Sequence, residues 1–117
     1  MHQYKNLKFW HKAMDMAQMV FEITSEFPVG ERYGLTSQLR SAAVSVPSNI
    51  AEGAGRGTNA DFNRFLDMAN GSLNEIETQF LLAERFKLIR NDRIEAVLDE
   101  LNQIQKMIFN FQITLKK

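Results

Sequence analysis

Apolar residues recur along this chain at spacings of three and four, the period of one helix face. Phe9, Ala13, Met16, Val20, Ile23 and Phe27 follow it, and Trp10, Met14, Ala17 and Phe21 form a second stripe beside them. Lys12, Asp15, Gln18 and Glu22 take the wet side, so a first helix is expected over about Leu7 to Glu26. Its apolar face is wider than an isolated surface helix needs. Phe27-Pro28-Val29-Gly30 breaks it. A second helix is expected from near Glu31 to Gly53, with Leu35, Leu39, Ala43, Val46 and Ile50 inward. A third, over about Asn59 to Leu88, carries Phe62, Leu66, Ala69, Leu73, Ile76, Phe80 and Ala83 as a heptad-like seam. Beside that seam runs a mixed stripe, apolar at its ends (Phe65, Met68, Leu82, Phe86) and polar in its middle. The fourth helix carries Ile94, Val97, Leu101, Ile104, Ile108, Phe111 and Leu115 as one main stripe, which puts it on the outside of any assembly.

Local signals punctuate these helices. Thr58 followed by Asp61 is a near capping box for the third helix, and Asn91 is the expected cap of the fourth. Gly71, inside the third helix, is expected to mark a close helix crossing. Pro47 sits inside the second helix, where it removes a hydrogen bond and is expected to kink the rod.

Four long helices with short connections predict an all-α chain folded as an antiparallel up-down-up-down four-helix bundle, one domain over residues 1–117. The second helix also carries a polar line, Gln38, Ala42, Ser45, Asn49 and Glu52. Folded back across the glycine turn, Asn49 and Glu52 are expected to meet Asp61 and Arg64, while Gln38 and Ser45 come near Ser72 and Glu75. The expected seam is therefore Gln38, Ser45, Asn49, Glu52, Arg64, Ser72 and Glu75. Its expected role is structural, a hydrogen-bond network that sets helix register, so that Asn49→Leu strands its partners. A ligand or an enzymatic site built on Glu52 or Glu75 is the distant alternative.

Composition narrows the functional classes. The 117 residues are 44% hydrophobic, too many for a disordered chain, and contain no cysteine, which removes disulfides and thiolate metal sites. No apolar run approaches the ~20 residues of a membrane span. No signal-peptide core follows Met1-His2-Gln3-Tyr4-Lys5-Asn6, so the cytoplasm is expected and no membrane partner. Di-metal bundles use Glu-x-x-His pairs, and neither His2 nor His11 lies in one; no metal and no cofactor are expected. Gly53-x-Gly55-x-Gly57 follows a helix rather than a strand and lacks Gly-Lys-Ser/Thr, so it reads as a helix end and hairpin rather than a phosphate loop. No Ser-His-Asp or Cys-His set can be assembled, so no enzyme is expected.

Fourteen basic and fourteen acidic residues leave no net charge, and a polyanion would have to meet a local patch. One end of the bundle is expected to gather Lys5, Lys8, Lys12, Arg56, Lys116 and Lys117. The other holds Arg85, Lys87, Arg90 and Arg93 mixed with Glu84 and Asp92.

The run Ser45-Val46-Pro47-Ser48-Asn49-Ile50-Ala51-Glu52-Gly53-Ala54-Gly55-Arg56 closely resembles the signature of the bundle proteins encoded in intervening sequences of bacterial large-subunit ribosomal RNA genes, often mislabelled as ribosomal proteins. Phe27-Pro28, Tyr33 through Arg40, Arg64-Phe65-Leu66 and Ala69 through Glu77 resemble it too. The resemblance implies a homopentameric ring of four-helix bundles with no established catalytic activity. The chain is also similar to the accessory protein of diversity-generating retroelements, a barrel-shaped pentamer that binds nucleic acid and a reverse transcriptase. That protein is strongly basic and this chain is neutral. Asn70 stands where relatives commonly have a basic residue, and Lys87 where many have glycine. The expected function is a non-enzymatic, homo-oligomeric, pentameric scaffold or binding protein. The alternative is an RNA- or DNA-binding accessory protein that uses the lysine-rich end.

Overall fold

The computed structural model describes residues 2–116, which form four long helices and, among those residues, no strand. They are α1 (Lys8–Thr24), α2 (Leu35–Ala54), α3 (Asn59–Arg85) and α4 (Asn91–Leu115), with single 3-10 turns at Tyr4–Asn6 and Val29–Glu31. Each helix packs on its neighbours in sequence and α1 closes against α4, whereas no pair of Cα atoms from the diagonals α1/α3 or α2/α4 comes within 8 Å. The helices therefore stand at the corners of a square, in the expected up-down-up-down order, in a body of 45 × 23 × 19 Å.

The helical stripes supply the core. Phe9, Ala13, Met16, Val20 and Ile23 of α1 are buried, as is the whole seam of α3 from Phe62 to Ala83. Leu39, Ala43, Val46 and Ile50 of α2 face them, together with Ile94, Val97, Leu101, Ile104 and Ile108 of α4. The second stripe of α1 is different. Trp10 and Ala17 are half-buried, and Met14 and Phe21 are exposed.

Helix ends differ from expectation in informative ways. The second helix begins at Leu35 rather than near Glu31, because Val29–Glu31 closes a 3-10 turn first. At the end of α1, Arg40 of α2 stacks on the Phe21 ring at 4.7 Å and donates to the Phe21 carbonyl at 3.3 Å and the Thr24 hydroxyl at 2.9 Å. A cation there complements the negative end of the helix dipole. The α3 start is capped as expected, with the Asp61 N–H donating to Thr58 Oγ1 at 3.1 Å. Asn91 does not cap α4. Arg90 holds that position and its side chain makes no capping bond, and Asp92 Oδ1 accepts from the Arg93 N–H at 3.0 Å instead.

Helix α3 stops at Arg85, short of Leu88. The Lys87 N–H donates to the Glu84 carbonyl at 3.0 Å and the Leu88 N–H to the Ala83 carbonyl at 2.9 Å, the paired bonds of a Schellman stop. Lys87 takes the left-handed position, φ 61°, where glycine is the usual occupant.

The glycine roles are exchanged relative to expectation. Gly71 does not mark a crossing, since a Cβ there would meet nothing within 4 Å. Gly53 does. A Cβ on it would lie 2.6 Å from Phe65 Cβ and 2.9 Å from Phe62 Cδ1, so only a bare backbone lets α2 and α3 approach here. Gly53 is helical, and α2 runs one residue past it to Ala54. Pro47 is buried inside an uninterrupted α2. It has no N–H for the Ala43 carbonyl, so that turn is held by its neighbours and by packing.

Candidate functional site

The α2–α3 seam forms in part and in a different register. Ser45 Oγ and Ser72 Oγ are 2.6 Å apart across the two helices. Gln38 is bridged to Gln79, not to Glu75 directly: Gln79 Nε2 donates to Gln38 Oε1 and to Glu75 Oε2, both at 3.2 Å. The contact to Gln38 has thus moved one turn along α3. Gln79 is buried, and its Oε1 finds no donor.

Three residues expected in the seam do not cross it. Asn49 Nδ2 donates to the Ser45 carbonyl of its own helix at 2.8 Å. Glu52 is exposed and meets Arg56 at 3.5 Å rather than Asp61 or Arg64. Arg64 pairs with Asp61 one turn back, at 3.0 Å. Arg56 also reaches Asp61, at 3.7 Å, and both guanidinium groups stand 4.7 Å from the Phe65 ring. The physical reason is Gly53: its close approach fills the space near the turn with Phe62 and Phe65, and the charged groups are displaced to solvent. Glu52 and Glu75 are exposed, without the enclosed low-dielectric surroundings that an acid–base carboxylate uses.

A second polar seam, between α3 and α4, was not apparent from the pattern. Asn63, Asp67, Asn70 and Asn74 lie along one side of α3 at helical spacing. Gln112, buried in α4, accepts from Asn70 Nδ2 at 3.3 Å and donates to Asp67 Oδ1 at 2.7 Å. Gln105 donates to Asn74 Oδ1 at 2.8 Å. The side-chain oxygens of Asn63 and Asn70 are buried without a donor among the described residues. The available signal was the Asn63 to Asn74 spacing, but glutamines on a helix flank look like ordinary solvated residues.

The basic end is thinner than its lysine count. Lys12 pairs with Glu100 at 2.8 Å, and Arg56 is held by Glu52 and Asp61. Lys5, Lys8 and Lys116 are exposed and make no ion pair among the described residues. Lys117 lies outside the described residues. At the other end Arg93 pairs with Glu26 at 2.7 Å and Arg90 with Asp92 at 3.2 Å. No group of three His, Asp or Glu side chains among the described residues is arranged to hold a metal ion.

The most developed surface feature is apolar. A cleft of about 510 Å³ runs between α1 and α2, lined chiefly by Trp10, Met14, Phe21, Val44 and Pro47, with Tyr4 at one end. Tyr4 packs edge-on against Trp10 at 5.0 Å between centroids. Met68 and Leu82 are exposed on α3, Phe86 directly after it, and Phe109 and Ile113 on α4, so α4 has a second apolar line besides its core stripe.

No helix of the described residues is long and apolar enough to cross a membrane. The 23S rRNA-intervening sequence protein family matches the chain over residues 5–110. Among solved structures, a protein of unknown function from the S23 ribosomal protein family of Bacteroides thetaiotaomicron is similar, with a TM-score of 0.81 and 23% identity over 89% of this chain and 97% of its own. That likeness is one of fold. No curated protein matches.

Proposed function

This chain belongs to the 23S rRNA-intervening sequence protein family, and from that premise we propose that it is a non-enzymatic, homo-oligomeric helical scaffold. The observation that carries the reading is the apolar cleft between α1 and α2, whose Met14, Phe21 and Val44 are left in water by the single chain. With Met68, Leu82, Phe86, Phe109 and Ile113 they spread apolar surface over several outer faces. Scattered apolar residues are ordinary on a monomer, but a lined apolar cleft marks a binding surface. The resemblance to pentameric relatives makes five copies the expected number. The cytoplasm is the compartment that goes with this reading, supported by a chain without cysteine.

Sedimentation velocity at micromolar concentration tests the reading. Wild type is expected to run as a multimer, and Phe21→Asp, which sets a charge in the cleft, as a smaller species. A wild-type monomer overturns it.

A second reading, nucleic-acid contact, is supported by Lys5 and Lys8, exposed and without acidic partners among the described residues. The neutral net charge and the pairing of Lys12 and Arg56 support it less. Filter binding that weakens steeply with salt and is lost when Lys5 and Lys8 become Glu favours it; no binding at low salt removes it.

A further inference from the structure

We propose that a second copy of this chain seats Phe109 and Ile113 of its α4 in the cleft between α1 and α2, so that copies join by opposite faces. The inference rests on the homo-oligomeric reading and specifies its contact.

Phe109 is 63% exposed, and Ile113 follows it one turn later. Lys106 on α4 and Lys116 at its C-terminal cap extend the same line at spacings of three, giving a short apolar ridge with a cation at each end. Neither lysine makes an ion pair among the described residues. The cleft offers the complement. Met14, Phe21 and Val44 supply exposed apolar walls, and Asp15 and Glu22 stand on the outer side of α1 beside them, exposed and without a cationic partner among the described residues. Among the described residues the Glu22 carboxylate accepts a hydrogen bond from Gln18 Nε2 and makes no ion pair. An apolar ridge tipped with lysines thus matches an apolar cleft edged with carboxylates, the charge pattern that steers and registers an interface.

The placement of the two surfaces decides the symmetry. Gln105 and Gln112 reach across to α3, and Phe109 lies between them on the helix, so the ridge belongs to the α3/α4 face. The cleft belongs to the α1/α2 face, the opposite side of the square. One copy can therefore fill its neighbour's cleft while its own is filled by another. Such a contact is heterologous and repeats from copy to copy, making a ring where its rotation closes. A two-fold dimer uses one face twice and leaves either the ridge or the cleft uncovered. The same geometry places α4 at the contact, against the expectation from its main stripe.

The absence of cysteine makes the test clean. Val44→Cys and Phe109→Cys, both at exposed positions, are expressed separately and together and treated with a short bismaleimide. Cross-linked dimer is expected when the two variants are co-expressed and absent from either alone. The double variant is expected to give a ladder whose top band counts the copies. Dimer from Phe109→Cys alone shows a two-fold contact and overturns the proposal. A multimer by native mass without the 44–109 product overturns this contact and leaves the oligomeric reading standing. A monomer by native mass overturns both. Circular dichroism of each variant confirms that the helices persist, and Val44→Ser and Phe109→Ser serve as unreactive controls.

Discussion

Ser45 Oγ stands 2.6 Å from Ser72 Oγ and 2.6 Å from the carbonyl of Ala42. One hydroxyl carries one proton, so Ser45 gives its own to the carbonyl and Ser72 supplies the proton between the serines. The pair is the direct side-chain bond between α2 and α3 at the middle of the bundle. A double-mutant cycle of Ser45→Ala and Ser72→Ala is expected to show a coupling of about 0.5–1.5 kcal/mol by urea denaturation. Additive single effects contradict the bond.

The glycines predict opposite signs. Gly53→Ala drives a methyl to 2.6 Å from Phe65 Cβ, an atom fixed to its own backbone, and is expected to cost about 1–3 kcal/mol. Gly71→Ala enters open space inside a helix and is expected to gain up to about 1 kcal/mol. Thermal melts of the two variants check the pair, and a destabilised Gly71→Ala refutes the second half.

Lys87 holds a left-handed backbone angle at the end of α3. Glycine adopts it without steric penalty, so Lys87→Gly is expected to stabilise by about 1 kcal/mol, with Lys87→Ala giving no such gain. The melting temperature should rise by roughly 4 °C for a domain of this size. An unchanged or lowered melt contradicts the Schellman assignment.

Between polar positions, Gln112 is expected to matter more than Asn49. Gln112→Leu removes the acceptor of the Asn70 amide and one donor to Asp67, at an expected cost of about 1–3 kcal/mol. Asn49 bonds only within its own helix, so Asn49→Leu strands no partner on α3 and should stay within about 0.5 kcal/mol of wild type. Equal losses for the two, read from denaturant midpoints, contradict this order.

Helix content, order and core were legible because every inward stripe kept the helical period from Phe9 to Leu115. Helix ends were less so, since Lys87 reaches an angle for which lysine gives no signal and Arg90 holds a cap position without a capping side chain. The α2–α3 seam was half legible. Polar spacing predicted that Ser45 and Ser72 meet, but register depended on how near Gly53 lets α2 come to Phe62 and Phe65, a packing quantity absent from residue pattern. The α3–α4 seam stayed hidden because Gln112 and Gln105 have the same chemistry as surface residues until a partner helix is in place. The cleft was foreshadowed by the double stripe of α1, whereas Phe109 and Ile113 did not stand out from the polar side of α4.

The central claim is that the apolar outer faces belong to contacts between copies. Absolute molar mass by light scattering, followed through a dilution series in the micromolar range, tests it most directly. The account predicts a plateau at an integer multiple of the 13.5 kDa chain, five-fold for the expected ring. A constant 13.5 kDa across the series contradicts it.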